Sequence, residues 1–140
     1  MEERRAEVLL VEDDSNDVAV ALRALQRHSL GARVKVLRDG AELLDYLEQS
    51  SRNNPPKLIL LDLKMPRLDG RAALRELRTR ETTRHVPIVV VSSSSQQSDV
   101  RDCYELGANS FVVKQFDPYA PGEYLVSTVR YWLDMNEVAH

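Results

Sequence analysis

LILLDLKMPRLDG, residues 58–70, is the stretch that decides the fold. Its first four residues are apolar and run directly into Asp62, after which the chain turns through Pro66 and Gly70. An unbroken apolar run of this length is typical of a strand buried on both faces, as in a parallel sheet covered by helices. A carboxylate that follows such a strand lies at the carboxyl edge of the sheet, where open α/β folds bind their ligands. We therefore take Asp62 as the candidate chemical centre.

The same unit, a short apolar strand followed by an amphipathic helix, recurs along the chain. Strands are predicted at residues 7–12, 33–37, 57–62, 87–91 and 110–113, each followed by a helical pattern. Ser15 or Asn16 is expected to cap the first helix, and Pro121 to begin the last. Asp39 and Glu42 have the spacing of a capping box for the second helix. This strict alternation predicts one α/β domain with a parallel sheet and helices on both faces.

Composition and charge narrow the classes of function. The chain of 140 residues has a formal net charge of −3 and no cluster of Lys and Arg, which argues against a nucleic-acid partner. No apolar run approaches the roughly 20 residues that span a bilayer, and the start MEERRAE lacks the apolar core of a secretory signal. A single cysteine, Cys103, cannot form an internal disulfide. We expect a cytoplasmic protein that binds neither nucleic acid nor membrane.

Polar residues follow four of the five predicted strands. Because parallel strands share a direction, these residues are expected to gather along one edge of the sheet. The carboxylates among them form a hard oxygen site that suits Mg²⁺ or Mn²⁺, whereas the lysine and the serine can bind phosphate oxygens. The sequence contains neither a Walker loop nor GxGxxG, so the set favours a phosphoryl group on or near a carboxylate over a nucleotide. The residues are Glu12 and Asp13, Asp62, Ser92 and Lys114.

Four fragments in this order, LLVEDD, LLDLKMPRLDG, VVVSSS and FVVK, resemble the receiver domain of two-component response regulators. The resemblance runs from about residue 7 to about residue 133 and implies a doubly wound, flavodoxin-like (β/α)5 fold with strand order 2-1-3-4-5. It implies a phosphorelay function in which one carboxylate accepts a phosphoryl group with the help of Mg²⁺. When the family's residue roles are assigned to the matching positions of this sequence, the resemblance implies that Asp62 is the phosphoacceptor. It implies that the metal ligands are Glu12, Asp13, Asp62 and the backbone carbonyl of Lys64. The remaining roles that it implies are Ser92 as switch hydroxyl, Lys114 as phosphate-binding lysine and Phe111 as switch aromatic.

The resemblance also implies partners. The tail YELGANSFVVKQFDP, followed by Tyr131, Trp132, Leu133 and Asn136, is similar to single-domain regulators that partner phytochrome-type histidine kinases. Such regulators have no output domain and tend to form homodimers. We therefore expect residues 1–140 to form one receiver domain whose partner is a sensor histidine kinase such as a bacteriophytochrome. A homodimer through the fourth helix, fifth strand and last helix is expected as well.

One departure from the family pattern keeps an alternative open. Gln115 follows Lys114 where receivers usually carry proline after a cis peptide, so the sequence alone does not decide the isomer of this peptide. A degenerate receiver that acts as a phosphorylation-independent binding scaffold is the alternative. A phosphatase of the aspartyl-phosphate kind would need a second acid two residues after the nucleophile, where this chain has Lys64. The expectation is a signalling phosphoacceptor and not an enzyme.

Overall fold

A five-stranded parallel sheet forms the centre of the computed structural model, which describes residues 6–50 and 55–137. Every pairing between neighbouring strands is parallel, and the order is β2-β1-β3-β4-β5. The predicted sheet and its strand order are therefore confirmed. The strands are β1 (Val8–Val11), β2 (Val34–Leu37), β3 (Leu58–Leu61), β4 (Ile88–Ser92) and β5 (Ser110–Val113).

Five helices connect the strands and cover both faces of the sheet. They are α1 (Ser15–Arg27), α2 (Gly40–Gln49), α3 (Gly70–Thr79), α4 (Gln97–Glu105) and α5 (Glu123–Arg130). A short 3-10 turn at Gly31–Arg33 precedes β2, and a π-helical turn at Tyr131–Met135 extends α5. None of the helices in the described parts of the chain is both long and apolar enough to cross a bilayer.

Side chains of the central strands alternate between two apolar clusters. Leu10 and Leu60 point into a cluster that α1 and α5 cover, whereas Leu9 and Leu61 point into one that α2, α3 and α4 cover. All residues of β1, β3 and β4 are buried, as the unbroken apolar runs predict for strands with neighbours on both faces. Strand β5 lies at the edge of the sheet and is only partly buried. The two apolar clusters thus lie on opposite faces of the sheet.

Two helix starts differ from their predictions. Helix α1 is capped by Asp14, not by Ser15 or Asn16, because the Asp14 backbone is extended and its carboxylate accepts the N–H of Asp17 at 2.9 Å. Helix α5 begins at Glu123 and not at Pro121. Between them Gly122 adopts φ +80°, a left-handed conformation that interrupts a right-handed helix and that glycine adopts without strain.

Candidate functional site

Three carboxylates from two neighbouring strands meet at the carboxyl edge of the sheet. Glu12 and Asp13 follow β1 and Asp62 follows β3, and the N–H of Asp62 donates to the carbonyl of Val11 at 3.1 Å. One carboxylate oxygen of each acid lies within 4.8 Å of the other two. Glu12 and Asp62 are buried, while Asp13 is exposed. Hard oxygen donors at this spacing are the ligands that Mg²⁺ and Mn²⁺ prefer, so the residues present fit such a cation.

Burial and the neighbouring acid Asp62 change the pKa of Glu12. Burial is the largest cause that raises the pKa of the Glu12 carboxyl, and its hydrogen bond to Asp62 raises this pKa further. The nearby Lys114 ammonium acts in the opposite direction without cancelling the increase. The protein alone therefore does not fully stabilise the negative charge of these acids. Either a proton on Glu12 or a bound divalent cation can offset that charge.

Lys114 brings positive charge to the same place. Its Nζ lies 2.5 Å from Glu12 Oε1, 2.7 Å from Asp17 Oδ2 and 3.7 Å from Asp62 Oδ2. Burial opposes the charged form, but hydrogen bonds to Asp17 and Glu12 outweigh it and raise the pKa of Lys114 above its ordinary value. The ammonium is thus held firmly in its charged form beside the acids.

The peptide between Lys114 and Gln115 is trans. The Lys114 N–H donates to the carbonyl of Ser92 at 2.8 Å, which continues the parallel pairing of β4 and β5 by one residue. The side chain then reaches the carboxylates even though no proline follows it. The trans peptide, which the sequence alone did not predict, is therefore compatible with a lysine in the site.

Asp17 is a member of this constellation that the sequence reasoning did not single out. It lies in the first turn of α1, three residues after the capping Asp14, and its carboxylate contacts Lys114. An acid in the first turn of the helix after β1 is the signal that could have indicated it, because that turn lies beside the strand end. The contact itself joins residues 97 positions apart in the chain.

Ser92, the last residue of β4, is 1% exposed and belongs to a chain of hydrogen bonds. Its Oγ accepts the N–H of Ser94 at 3.1 Å. The Ser94 hydroxyl donates to Asp99 Oδ2 at 2.5 Å, and Arg71 Nη2 donates to Asp99 Oδ1, also at 2.5 Å. These bonds tie the loop after β4 to the first turns of α3 and α4.

Lys64 and Phe111 lie at the margins of the site. Lys64 is exposed, and its backbone N–H donates to Asp62 Oδ1 at 3.4 Å. Phe111 lies opposite Val90 in the pairing of β5 with β4, and its half-buried ring packs against the cluster beneath α4. The structure thus brings Glu12, Asp13, Asp62 and Lys114 together, with Ser92 at the neighbouring strand end.

A small cavity opens beside the acids, between the sheet and helices α1 and α5. Its polar lining consists of Glu12, Asp17, Asp62, Lys114 and Tyr124, and apolar residues of β1, β3, β4, α1 and α5 complete the wall. The carboxylates and the ammonium therefore border a common space that a small polar group can enter.

The sequence matches a known family over most of its length. The family model of the response regulator receiver domain matches residues 8–121, from the first residue of β1 to the loop before α5. All five strands lie within the match, and so do the candidate site residues Glu12, Asp13, Asp17, Asp62, Ser92 and Lys114.

Individual proteins show the same similarity. The probable methanogenesis regulatory protein FilR2 of Methanothrix harundinacea is 32% identical over 131 residues, which are 92% of this chain and 84% of that protein. Response regulator Rcp1 of Synechocystis sp. is 36% identical over 110 residues, or 76% of this chain and 75% of that protein.

Solved structures extend the similarity to the fold. The phosphorylated cyanobacterial phytochrome response regulator RcpA superposes with a TM-score of 0.85 at 29% identity, covering 98% of this chain and 100% of that chain. The Mn²⁺-bound form of response regulator Rcp1 gives a TM-score of 0.79 at 31% identity, covering 95% of this chain and 98% of that chain. The chain thus shares both sequence and architecture with these regulators.

Proposed function

This chain belongs to the family of response regulator receiver domains, and from that premise we propose that it accepts a phosphoryl group on Asp62 from a sensor histidine kinase. As a receiver it is a signalling phosphoacceptor of a two-component phosphorelay and not a true enzyme. The scaffold alternative is not favoured, because the Lys114 ammonium reaches the acids although Gln115 follows it.

The observation that supports Asp62 as the acceptor is the position of a charged lysine beside a buried carboxylate. Lys114 Nζ lies 3.7 Å from Asp62 Oδ2, close enough to stabilise negative charge on an oxygen bound there. In the proposed step an Asp62 oxygen forms a bond to phosphorus while the bond from phosphorus to the donor's nitrogen breaks. The ammonium then offsets charge on the transferred phosphoryl oxygens.

A divalent cation, Mg²⁺ or Mn²⁺, is part of the proposal. Glu12, Asp13 and Asp62 would hold it, and the backbone carbonyl of Lys64 would be a further ligand. The donor chemistry supports this assignment, and the related regulator Rcp1 has a Mn²⁺-bound structure. When bound, the cation would supply positive charge for the phosphoryl oxygens.

Ser92 and Phe111 would transmit the modification. Ser92 would move towards the phosphoryl group to donate its O–H to a phosphoryl oxygen, and this movement would disturb the bond that its Oγ accepts from the Ser94 N–H. A shift of the loop after β4, together with a turn of the Phe111 ring, would change the surface formed by α4, β5 and α5. The change is a population shift between two states that phosphorylation biases.

The partners proposed are a histidine kinase of the phytochrome class and a second copy of this chain. The similarity to the phytochrome response regulator RcpA supports the first. Exposed apolar side chains on the α4–β5–α5 surface support the second, since large apolar groups at a surface favour association. They are Tyr104 of α4, 48% exposed; Val113 of β5, 39% exposed; and Tyr131 after α5, 47% exposed.

Incubation with phosphoramidate and Mg²⁺, followed by intact mass spectrometry, tests the acceptor. We expect an addition of about 80 Da, the mass of a phosphoryl group, that is absent from Asp62→Asn. Asp69→Asn is the matched control, because Asp69 is an exposed acid of the same loop and asparagine caps α3 as well as aspartate does. An addition that survives Asp62→Asn, or no addition to the wild-type chain, contradicts the proposal.

A further inference from the structure

We propose that Asp17 is a positioning residue for phosphoryl transfer, which together with Glu12 fixes the Lys114 ammonium so that its remaining N–H meets a phosphoryl oxygen on Asp62. The inference rests on the proposed function and deepens it. It assigns a role to a residue of α1 that lies outside the set of strand-end residues.

The ammonium has three N–H donors, and the contacts of Lys114 account for two of them. Glu12 Oε1 at 2.5 Å and Asp17 Oδ2 at 2.7 Å are both within hydrogen-bond distance of Nζ. Asp62 Oδ2, at 3.7 Å, is beyond that distance. One donor is therefore left for an oxygen that arrives on Asp62, and the ammonium is already in place when it arrives.

Lysine needs such anchors because its four-carbon stem is flexible. The strand bond from the Lys114 N–H to Ser92 fixes the backbone but leaves the side-chain torsions free. Glu12 alone is a weak anchor, since it also belongs to the group of acids that could hold a metal ion. Within the described residues that group does not include Asp17, so the Asp17 carboxylate can remain on the lysine when a cation occupies the other acids.

Asp17 is itself well placed to act as an anchor. Its N–H donates to the carboxylate of the capping Asp14 at 2.9 Å, and the next residue, Val18, is buried in the core. The carboxylate thus extends from the rigid first turn of a helix, where the helix dipole stabilises negative charge.

The rate of phosphorylation by phosphoramidate at saturating Mg²⁺ tests this role. Asp17→Asn is expected to slow phosphorylation about tenfold through misplacement of the ammonium, and Lys114→Met by about 10²-fold. Asp17→Glu, which keeps a carboxylate, should recover part of the rate. Asp14→Asn is the matched control, because it removes a nearby exposed charge and retains the cap; its rate should change less than about twofold.

A double mutant separates positioning from a general structural effect. If Asp17 acts through the lysine, adding Asp17→Asn to Lys114→Met slows the reaction no further. Thermal unfolding of each variant verifies that it is folded. The proposal is overturned if Asp14→Asn and Asp17→Asn slow phosphorylation equally. It is also overturned if the rate of the double mutant is reduced by the product of the two single-mutant factors.

A second readout does not depend on phosphorylation. Brief acylation with an amine-selective reagent, followed by peptide mass mapping, should modify Lys114 several-fold faster in Asp17→Asn than in the wild-type chain. The exposed Lys35, Lys57 and Lys64 serve as internal references. Unchanged acylation of Lys114 in Asp17→Asn overturns the role of Asp17, whether or not the wild-type chain can be phosphorylated. Failure of the wild-type chain to take a phosphoryl group, by contrast, contradicts only the proposed function.

Discussion

Gly70, eight residues after Asp62, lies where the β3–α3 loop folds back on its own start. A Cβ atom on Gly70 would lie 2.4 Å from the backbone oxygen of Asp62 and 2.7 Å from the Cα of Leu63. Real side chains do not approach backbone atoms so closely, so the absence of a side chain is what allows the close approach. The peptide that carries the candidate acceptor is thereby held against the start of α3.

Gly70→Ala is expected to lower the free energy of unfolding by about 1–3 kcal/mol, because the backbone of Asp62 must shift to admit a methyl group. Urea denaturation measures the change. Gly31→Ala is the matched control, since its Cβ would meet the flexible side chain of Gln26, which can move aside. Equal losses in the two variants would show that backbone crowding at Gly70 is not the cause.

At the scale of elements, one carboxylate joins α2 to the loop that follows Asp62. Asp39 caps α2, since its Oδ1 accepts the N–H of Glu42 at 2.8 Å. The same carboxylate accepts two hydrogen bonds from Arg67, at 2.7 and 3.0 Å, and these hold the pKa of Asp39 below its ordinary value. Arg67 has φ +63°, a left-handed conformation that is unusual for a residue with a side chain. The ion pair therefore stabilises a strained turn of the β3–α3 loop.

Two substitutions at Asp39 separate the cap from the ion pair. Asp39→Asn keeps the cap and loses the pair, and the loss is expected to be small because the Arg67 side chain is 62% exposed. Asp39→Ala should lose about 1 kcal/mol more, the usual contribution of a cap. Urea denaturation as a function of pH measures both.

The pH dependence of this ion pair has a definite sign. Because its folded-state pKa is lowered, Asp39 contributes this stability in full above its unfolded pKa, about 3.9. The contribution is lost as the pH falls through the lowered folded-state value. The difference between wild type and Asp39→Asn should therefore fade at the acid end, and a difference that stays constant there would contradict the assignment to the ion pair.

At the scale of the whole molecule, several of the exposed large apolar residues lie on the α4–β5–α5 surface. Strand β5 pairs with a neighbour on one side only, and its residues are less buried than those of the inner strands. This exposed edge is the surface through which the proposed homodimer would form and through which a change near Ser92 would reach a partner.

Val113→Asp is expected to raise the dissociation constant of the homodimer at least about tenfold, because it places a charge in an apolar contact. Sedimentation equilibrium, with and without phosphoramidate, measures the association. Val20→Asp on α1 is the matched control, since Val20 is 37% exposed and Val113 39%. A wild-type chain that stays monomeric at every concentration, or equal weakening by both variants, would contradict the proposed interface.

The sequence by itself determined the strands of the sheet and the polar residues that gather at its carboxyl edge. Unbroken apolar runs such as residues 58–61 favour a buried strand, and the alternation of strands and helices restricts the topology of the sheet. Since Glu12, Asp62 and Lys114 each follow a strand of that sheet, their gathering at one edge could be predicted without knowledge of any side-chain contact.

Only the tertiary structure decided which groups touch at that edge. The N-cap of α1 depended on which of several neighbouring acceptors, Asp14, Ser15 or Asn16, has an extended backbone. The contact of Asp17 with Lys114 joins residues 97 positions apart, and that of Arg67 with Asp39 joins residues 28 positions apart. Periodicity and capping patterns are local, whereas such contacts form only after the sheet has brought distant elements together.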